Sequence, residues 1–341
     1  MNFFSKKILV TGSSGFVGSW LTRSLILKNN NVSGIGLKPL SKESIHENLN
    51  LKEQYDFAEL NINDYDALQK RVNAINPDIV FHLASQPLVI DSYLDPINTF
   101  NTNVSGTSNL LHCLSNLNKE INIIVVTSDK CYRNENKGIP FLESDPLGGF
   151  DPYSASKACQ ELTSEAYANS YTNLNIKTAR AGNIIGGGDW SKDRIVTDLV
   201  EGCINNSTIV LRNPNATRPW QHVLDAIAGY AILAKFNENK ESFDSFNFGP
   251  GVDSHKTVLE LSRDFLNIWG KDNLLKIDED KNNYYEAKLL SLDVQKSHEV
   301  LNFRNKFNFG KAVSLTSEWY KIYYEGDGSS IFDSQITNYF Q

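Results

Sequence analysis

The stretch ILVTGSSGFVG, residues 8–18, decides the fold. Its first four residues predict a short buried strand, and residues 19–27 have helical periodicity. Three glycines between them form a G-x-x-G-x-x-G pattern, which permits a tight turn, close approach of a pyrophosphate and close helix–strand packing. The helix N-terminus adds N–H groups and the positive end of its dipole. A purely structural glycine loop is the alternative to a dinucleotide site. The loop residues expected to contact a dinucleotide are Gly12, Ser14, Gly15, Phe16 and Gly18.

The strand–helix alternation that begins there continues along the chain and predicts an α/β fold, a Rossmann-type doubly wound parallel sheet. Further strands are expected at residues 32–37, 56–62, 78–84, 121–126 and 176–183, with a helix from Pro96 to Leu117. After residue 183 the pattern loosens, which indicates a smaller α/β substrate-binding lobe. We expect residues 1–183 plus about 221–250 to form the dinucleotide-binding domain, and about 184–220 plus 251–341 to form that lobe.

Composition excludes several classes of protein. The 341 residues are 40% hydrophobic and 21% charged, with a net charge of −7 and no basic block, so nucleic acid is not an expected partner. No apolar run is long enough to span a membrane, and the N-terminus does not resemble a signal peptide. Four cysteines without metal or disulfide spacing fit a reducing cytoplasm.

The ends of the next strands predict the rest of the cofactor site. Asn61 and Ile62 stand where an adenine could lie, and the small-residue strand end at Leu83 and Ala84 would let a phosphate or ribose pass close by. An NAD site usually has Asp or Glu after the second strand to hold the adenine ribose, whereas this chain has Lys38. Lysine could receive a 2′-phosphate or be solvated, so NAD is expected and NADP stays open.

The strand at residues 121–126 ends in Thr127, Ser128, Asp129 and Lys130. Ligands of open parallel sheets bind beyond the carboxyl ends of the strands, so this polar run indicates proton chemistry. A polar turn that merely closes the strand is the alternative.

Tyr153 and Lys157 follow at i and i+4, on one face of the next predicted helix. A lysine ammonium beside a phenol favours the phenolate, so we expect a lowered pKa for Tyr153. Tyr153 is then a candidate base for an alcohol proton.

Further polar residues are candidate ligands for an anionic substrate. Arg194, Arg212 and Arg218 could bind phosphate, although each could be a surface ion-pair residue. Asn183 precedes a glycine turn, where it could contact phosphate or mark a crossing between lobes. Asn103 lies within a predicted helix, where it could brace the active-site strand or cap a packing defect.

Several longer runs carry a resemblance to a known family. They are residues 81–89 (FHLASQPLV), 127–132 (TSDKCY), 145–154 (DPLGGFDPYS), 180–190 (RAGNIIGGGDW) and 212–223 (RNPNATRPWQHV). Together with the glycine loop and the Tyr153–Lys157 pair, they resemble the CDP-glucose 4,6-dehydratase family within the extended short-chain dehydrogenases/reductases. The resemblance extends from about residue 7 to the C-terminus.

The resemblance implies an enzyme that uses bound NAD to oxidise CDP-glucose at C4, removes water across C5–C6 and returns the hydride to C6. It implies that Tyr153 takes the 4-hydroxyl proton, Lys157 assists it and holds the nicotinamide ribose, and Ser128 polarises the C4 oxygen. Asp129 would protonate the departing 6-hydroxyl, for which its pKa must lie well above the ordinary value. Lys130, in a neutral state, would be the C5 base.

The resemblance also implies ligand contacts. The residues implied to contact the cofactor are Gly12, Ser14, Gly15, Phe16, Gly18, Lys38, Asn61, Ile62, Leu83, Ala84, Asn103, Thr127, Tyr153 and Lys157. Those implied to contact the substrate are Gln86, Ser128, Asn183, Arg194, Arg212 and Arg218. No metal is expected, and a homodimer or larger oligomer is.

Two other functions compete with dehydration. A sugar-nucleotide epimerase or reductase on the same scaffold would leave Asp129 and Lys130 without a role. A non-catalytic dinucleotide-binding sensor would be expected to have lost Tyr153 or Lys157, and both are present.

Overall fold

The structure is a computed structural model, which describes residues 1–3, 5–39, 41, 43–211, 213–236, 242–251, 254–277 and 290–341, apart from the side chains of 327–329.

Its centre is a seven-stranded parallel sheet in the order β11-β6-β5-β4-β1-β2-β3. The strands are β1 (Lys7–Thr11), β2 (Asn31–Gly36), β3 (Asp56–Glu59), β4 (Ile79–His82), β5 (Ile121–Val126), β6 (Leu174–Ala181) and β11 (Phe243–Phe248). The order reverses between β1 and β4, which is the topological switch point at which doubly wound sheets bind ligands. The predicted fold class is therefore confirmed.

Alternate side chains of β1 enter two different cores. Ile8 and Val10 pack on one face with Trp20 and Leu21, whereas Leu9 packs on the other with Leu110. Because both faces of the sheet are covered by helices, the central strands are apolar at nearly every position, as the sequence indicated.

Helices occur along the whole chain, and some of them cover the two faces of the sheet. They are α1 (Phe16–Leu27), α2 (Ile45–Asn48), α3 (Tyr65–Ile75), α4 (Val89–Leu94), α5 (Pro96–Phe100), α6 (Gly106–Ser115), α7 (Pro152–Ser170), α8 (Ile195–Asn205), α9 (Val223–Leu233), α10 (Val258–Trp269), α11 (Gln295–Val300), α12 (Phe309–Ile322) and α13 (Gly328–Phe340).

The prediction of a single helix from Pro96 to Leu117 is wrong in one respect. A π-helical turn, Asn101–Ser105, separates α5 from α6. Such a turn inserts one extra residue and is common at functional sites. Here it carries Asn103, which is fully buried.

Short two-stranded pairings lie beyond the main sheet. They join β7 (Ile184–Ile185) with β10 (Gln221–His222), β8 (Ile209–Leu211) with β13 (Leu275–Ile277), and β9 (Thr217–Pro219) with β12 (His255–Thr257). They belong to the part of the chain where the sequence pattern loosened.

Candidate active site

The glycine loop closes the carboxyl end of β1 against the strand next to it. Gly12 has a left-handed backbone (φ +71), and a Cβ there would lie 2.7 Å from the backbone nitrogen of Ala84. A side chain at Gly18 would overlap the carbonyl oxygen of Gly12. Gly15 caps α1, so the N–H groups of its first turn face the loop. This cradle fits a dinucleotide pyrophosphate, with Phe16 in the first turn of α1.

The end of β2 lies against the same loop. The hydroxyl of Ser14 donates a hydrogen bond of 2.6 Å to the carbonyl oxygen of Leu37, and a Cβ at Gly36 would overlap that hydroxyl. Lys38, one residue further on, is exposed. The groups closest in sequence to the expected adenine ribose site are therefore the backbone at the end of β2, the Ser14 hydroxyl of the glycine loop and Lys38.

The residues expected near the adenine lie beside this loop. Asn61 is exposed, and its side-chain oxygen accepts a 2.9 Å hydrogen bond from the backbone of Asn63. Ile62 is buried, and a Cβ at Gly106 would lie 2.5 Å from it. Leu83 and Ala84 are half-buried after β4.

The strand β5 ends in a 3₁₀ turn, Asp129–Cys131, which Ser128 begins. The Ser128 hydroxyl accepts a hydrogen bond of 3.2 Å from the backbone of Lys130 and donates one of 3.0 Å to Asp129 Oδ1. Asp129 is 2% exposed, and its Oδ2 has no hydrogen-bond partner among the described residues. Lys130 is half-buried. A hydroxyl and an unsatisfied buried carboxyl oxygen therefore stand side by side at the strand end.

Burial raises the pKa of Asp129 above its ordinary value, against the opposing effects of Lys130, the Ser128 hydrogen bond and Arg218. The protonated carboxyl is favoured because a charge in this position loses hydration that its neighbours do not replace. The expected direction of the pKa of Asp129 is thus confirmed.

Tyr153 lies in the first turn of α7. Asp151 caps this helix by accepting hydrogen bonds from the backbone (2.9 Å) and hydroxyl (2.6 Å) of Ser154. Tyr153 is 8% exposed, and burial raises its pKa to about 12, while a hydrogen bond with Ser128 and the charge of Arg194 act to lower it. The expectation that Lys157 lowers the pKa of Tyr153 in the protein itself is wrong, because burial is the largest effect and the charges that act on the phenol are those of Asp129, Arg194 and Asp151.

Lys157 is buried one turn further along α7. Its ammonium donates to the side-chain oxygen of Gln160 at 2.9 Å and approaches the carbonyl oxygen of Val126 at 3.4 Å. Burial lowers the pKa of Lys157 to about 8, and Glu161 acts to raise it. Lys157 is thus held at the end of β5 and is still mostly protonated at neutral pH.

A buried ion pair between Glu161 and Arg180 lies next to the site. Glu161 Oε2 accepts hydrogen bonds from Arg180 (2.8 Å) and the Thr178 hydroxyl (2.7 Å), and Glu161 Oε1 accepts one from Thr127. The pair joins β5, β6 and α7, so its loss would misplace the residues above it. The sequence analysis missed Glu161, although its i+4 spacing from Lys157 places both residues on one face of α7.

Asn103 braces the loop after β4 against α7. Its amide donates to the hydroxyl of Ser156 (2.8 Å) and the carbonyl oxygen of Gln86 (3.1 Å), and its oxygen accepts from the backbone of Gln86 (2.8 Å). The Gln86 amide itself donates to Leu88 and Thr99. These contacts shape the loop, and the substrate and cofactor roles expected of Gln86 and Asn103 stay predictions.

Two of the three arginines converge on the site. The charge of Arg194 acts on Tyr153, and that of Arg218, which is 3% exposed, acts on Asp129. The Nε of Arg194 lies 3.6 Å from Asp189 Oδ2. Arg212 lies outside the described residues. Asn183 has a left-handed backbone (φ 44) and turns the chain from β6 towards β7.

Two further features bear on what the site can hold. The described residues contain no group of three or more His, Cys, Asp or Glu side chains arranged to hold a metal ion. In the same part of the chain, no helix combines the length and apolar content that a membrane crossing requires.

A dinucleotide cradle beside a Tyr–Lys pair, both at the carboxyl edge of a parallel sheet, defines the extended short-chain dehydrogenase/reductase class. Residues 9–316 match a family model described as GDP-mannose 4,6 dehydratase. The chain is 35% identical over 350 residues to CDP-glucose 4,6-dehydratase of Salmonella typhimurium, an alignment that covers 99% of this chain and 97% of that protein. The chain belongs to the nucleotide-sugar 4,6-dehydratase family.

Solved structures agree with this fold. UDP-glucose 4-epimerase from Thermotoga maritima superposes with a TM-score of 0.82 at 24% identity, over 93% of this chain and 99% of that one. A double mutant of dTDP-glucose 4,6-dehydratase from Streptomyces venezuelae, with NAD and DAU bound, gives 0.80 at 25% identity, over 92% and 96%. An epimerase and a dehydratase thus share the architecture, and the residues at the site must separate the two functions.

Proposed function

We propose that this protein is an NAD-dependent 4,6-dehydratase that converts CDP-glucose into CDP-4-keto-6-deoxyglucose. The nucleotide follows from the 35% identity to CDP-glucose 4,6-dehydratase over nearly the whole of both chains. The reaction is supported by one structural observation: the buried Asp129, with a raised pKa, adjoins the Ser128 hydroxyl that contacts Tyr153. A C4 epimerase needs no acid in that place.

The cofactor is NAD, held by the loop between β1 and α1, and family relatives are solved with it. The cradle at Gly12 and the capped start of α1 fit its pyrophosphate. When bound there, NAD supplies the hydride acceptor at C4, the hydride donor at C6 and a positive ring that favours the Tyr153 phenolate.

Oxidation at C4 begins with the hydroxyl proton of the sugar. Tyr153 takes this proton as a phenolate, and the Ser128 hydroxyl donates a hydrogen bond to the C4 oxygen as it becomes a carbonyl. Lys157 binds the nicotinamide ribose and adds positive charge. Because burial holds the pKa of Tyr153 near 12, this step needs positive charge near the phenol, which Arg194, Lys157 and bound NAD would supply.

Elimination uses the other two side chains of the turn. The C4 carbonyl acidifies the C5 proton, which Lys130 removes. Asp129 gives its proton to the C6 oxygen as the C–O bond breaks, so that hydroxide leaves as water. Bound NAD would return the hydride to C6, and a proton would be added at C5, so the reaction has no net redox change.

The substrate is an anion, and basic side chains converge where it must lie. We assign its diphosphate to Arg194 and Arg218, with Arg212, Asn183 and Gln86 as further contacts. Residues of about 184–220 and 251–341 form the sugar-nucleotide lobe, and 1–183 with about 221–250 form the NAD domain.

The enzyme is proposed to form a homodimer through α7 and the helical segment that carries Asn103, namely α5, the π turn and α6, which contacts α7. Three large apolar side chains on or beside these helices are exposed, namely Leu94 (72%), Ile97 (73%) and Leu162 (54%). An apolar surface of this kind on paired helices suits a second copy of the same chain.

A cytoplasmic location is also proposed, because the cysteines Cys113, Cys131, Cys159 and Cys203 are free thiols, as expected in a reducing compartment.

The test of nucleotide specificity is a competition among CDP-, dTDP-, UDP- and GDP-linked hexoses, with the 4-keto-6-deoxy product measured for each. We expect CDP-glucose to have the highest kcat/KM by at least about tenfold. A higher value for another nucleotide would overturn the cytidine assignment and keep the reaction. Failure of all of them, with NAD or NADP, would favour the sensor function.

A further inference from the structure

A continuous set of buried hydrogen bonds leads from Lys157 to the base of the dinucleotide loop. The Lys157 ammonium donates to Gln160 Oε1 (2.9 Å), and Gln160 Nε2 donates to the Thr107 hydroxyl (2.9 Å). The same hydroxyl lies 2.9 Å from His82 Nε2, and His82 Nδ1 lies 2.7 Å from the Thr11 hydroxyl. His82, Thr107, Gln160 and Thr11 are each fully buried. The mechanism proposed above uses none of these four side chains.

The direction of these bonds follows from counting protons. The Thr107 hydroxyl donates its only proton to the carbonyl oxygen of Asn103 (2.7 Å), so it must accept from both Gln160 and His82. His82 therefore carries its proton on Nε2 and accepts at Nδ1 from Thr11, whose oxygen accepts from the backbone of Ala84 (3.3 Å). With the other tautomer, the Thr11 proton would have no acceptor among the described contacts.

This direction fixes which end of the Gln160 amide faces Lys157. If the amide were reversed, its NH₂ group would face an ammonium and its oxygen would face a hydroxyl that has no proton left to give. Both contacts are buried, so each mismatch would leave a polar group without a partner, and the observed orientation is favoured. The lysine thus has a fixed hydrogen-bond acceptor on its own helix.

We propose that Gln160 is a positioning residue that fixes the position and the proton affinity of the Lys157 ammonium. Thr107, held in turn by His82 and Thr11, fixes the orientation of the Gln160 amide. The arrangement couples the active-site lysine to the end of β1, where the dinucleotide loop begins. It rests on the proposed function only in taking Lys157 as the group that serves Tyr153 and the cofactor. An amide cannot pass a proton along this path, so the role is one of orientation.

Other charged and titratable groups also face Lys157. Glu161 on the same helix and Cys131 in the turn after β5 act to raise its pKa, and burial lowers it. His82 stays neutral, because burial and the charge of Lys157 hold its pKa at about 3. These groups are unchanged in Gln160→Met and in the Thr107 variants, so a change in titration there reports on the amide, whereas Gln160→Glu also adds a charge.

The test is the titration of Lys157 in the whole protein without ligands. Protein labelled with ¹³C at lysine Cε is followed by NMR across pH, and the Lys157 signal is assigned by its loss in Lys157→Met. We expect the midpoint to rise by about one pH unit or more in Gln160→Glu and to fall in Gln160→Met. Gln160→Glu adds a charge and calibrates the response, so an unchanged midpoint in Gln160→Met would overturn the proposal.

A matched pair at Thr107 keeps the test decisive if a Gln160 variant fails to fold. Thr107→Val removes the hydroxyl and keeps the shape, whereas Thr107→Ser keeps the hydroxyl. We expect Thr107→Val to lower the Lys157 midpoint and to reduce kcat about tenfold, with little change in KM. In Thr107→Ser the midpoint and kcat should stay close to those of the native protein. A merely structural Thr107 would lower stability in Val without moving the midpoint, which would contradict the proposal. The NMR result stands whether or not CDP-glucose proves to be the substrate.

Discussion

Gly182 lies directly behind the carboxyl group of Asp129. A Cβ at Gly182 would overlap Asp129 Oδ2, the oxygen without a hydrogen-bond partner among the described residues. Gly182 follows β6, and Asp129 follows β5 beside it in the sheet. The absence of a side chain on one strand end thus makes room for the proposed acid on the next.

Gly182→Ala is expected to displace the Asp129 carboxyl and to lower kcat about a hundredfold or more, since the acid loses its alignment with the leaving hydroxyl. Steady-state kinetics with CDP-glucose measure the loss. Gly310→Ala is the matched control, because the nearest atom to a Cβ there is 3.9 Å away. If both alanine variants kept native activity, the fit between Gly182 and Asp129 would have no functional importance.

Asp129→Asn should separate oxidation from elimination. The side chain keeps its size but cannot protonate the 6-hydroxyl, so water loss is expected to slow about 10²–10⁴-fold. Tyr153, Ser128 and Lys157 remain, so C4 oxidation should continue and NADH should accumulate on the enzyme. Stopped-flow fluorescence of bound NADH measures this. Normal turnover, or a loss of C4 oxidation equal to that of dehydration, would remove Asp129 as the acid.

Asp225 should make stability depend on pH. Its buried carboxylate accepts hydrogen bonds from the Tyr339 hydroxyl (2.6 Å) and the backbone of Lys306 (2.7 Å), yet burial prevails and raises its pKa to about 6. The folded protein therefore binds this proton more tightly than the unfolded chain. The stabilisation that the protonated Asp225 carboxyl gives to the folded protein is complete below the unfolded pKa of about 4 and is lost as pH rises through about 6.

The measurement is the free energy of unfolding of the native protein and of Asp225→Asn at several pH values. The native protein is expected to lose up to about 3 kcal/mol relative to the variant between about pH 4 and pH 7. Subtracting the variant removes the contribution of other titrating groups. A difference that does not change with pH would show that Asp225 has an ordinary pKa.

The proposed dimer can be tested at the exposed apolar residues. Ile97→Glu combined with Leu162→Glu places two charges in the proposed α5–α7 interface, so the dissociation constant should rise at least about a hundredfold. Analytical ultracentrifugation measures it. Val300→Glu, at a residue 39% exposed on α11, is the control. A native protein that is monomeric at every concentration would refute the interface.

The sequence predicted the sheet, the glycine loop and the strand-end turn because each depends on local patterns. Apolar runs, glycine spacing and the i, i+4 relation of Tyr153 and Lys157 can all be read without tertiary contacts. The π turn at Asn103 could not be predicted, because one extra residue in a helix does not alter its composition. The pairing of Gly182 with Asp129 joins residues from neighbouring strands, so no local signal marks it.

The pKa of Tyr153 shows a second limit of prediction from the sequence. The sequence places a lysine beside the phenol, from which a lowered pKa was expected, but it does not give the depth of burial. In the structure burial is the largest effect on the phenol, and the charges that act on it are those of Asp129, Arg194 and Asp151. Conversely, the raised pKa of Asp129 was expected from the acid role that the resemblance implies, and burial of Asp129 produces it.

The most direct test of the central claim is the conversion of CDP-glucose by the pure enzyme with NAD in D₂O, followed by NMR of the sugar. Dehydration by the proposed route predicts a 4-keto-6-deoxy product that carries deuterium at C5, with no net formation of NADH, and Lys130→Ala should abolish it. An unchanged sugar, a C4 epimer, or a product without deuterium at C5 would contradict the account.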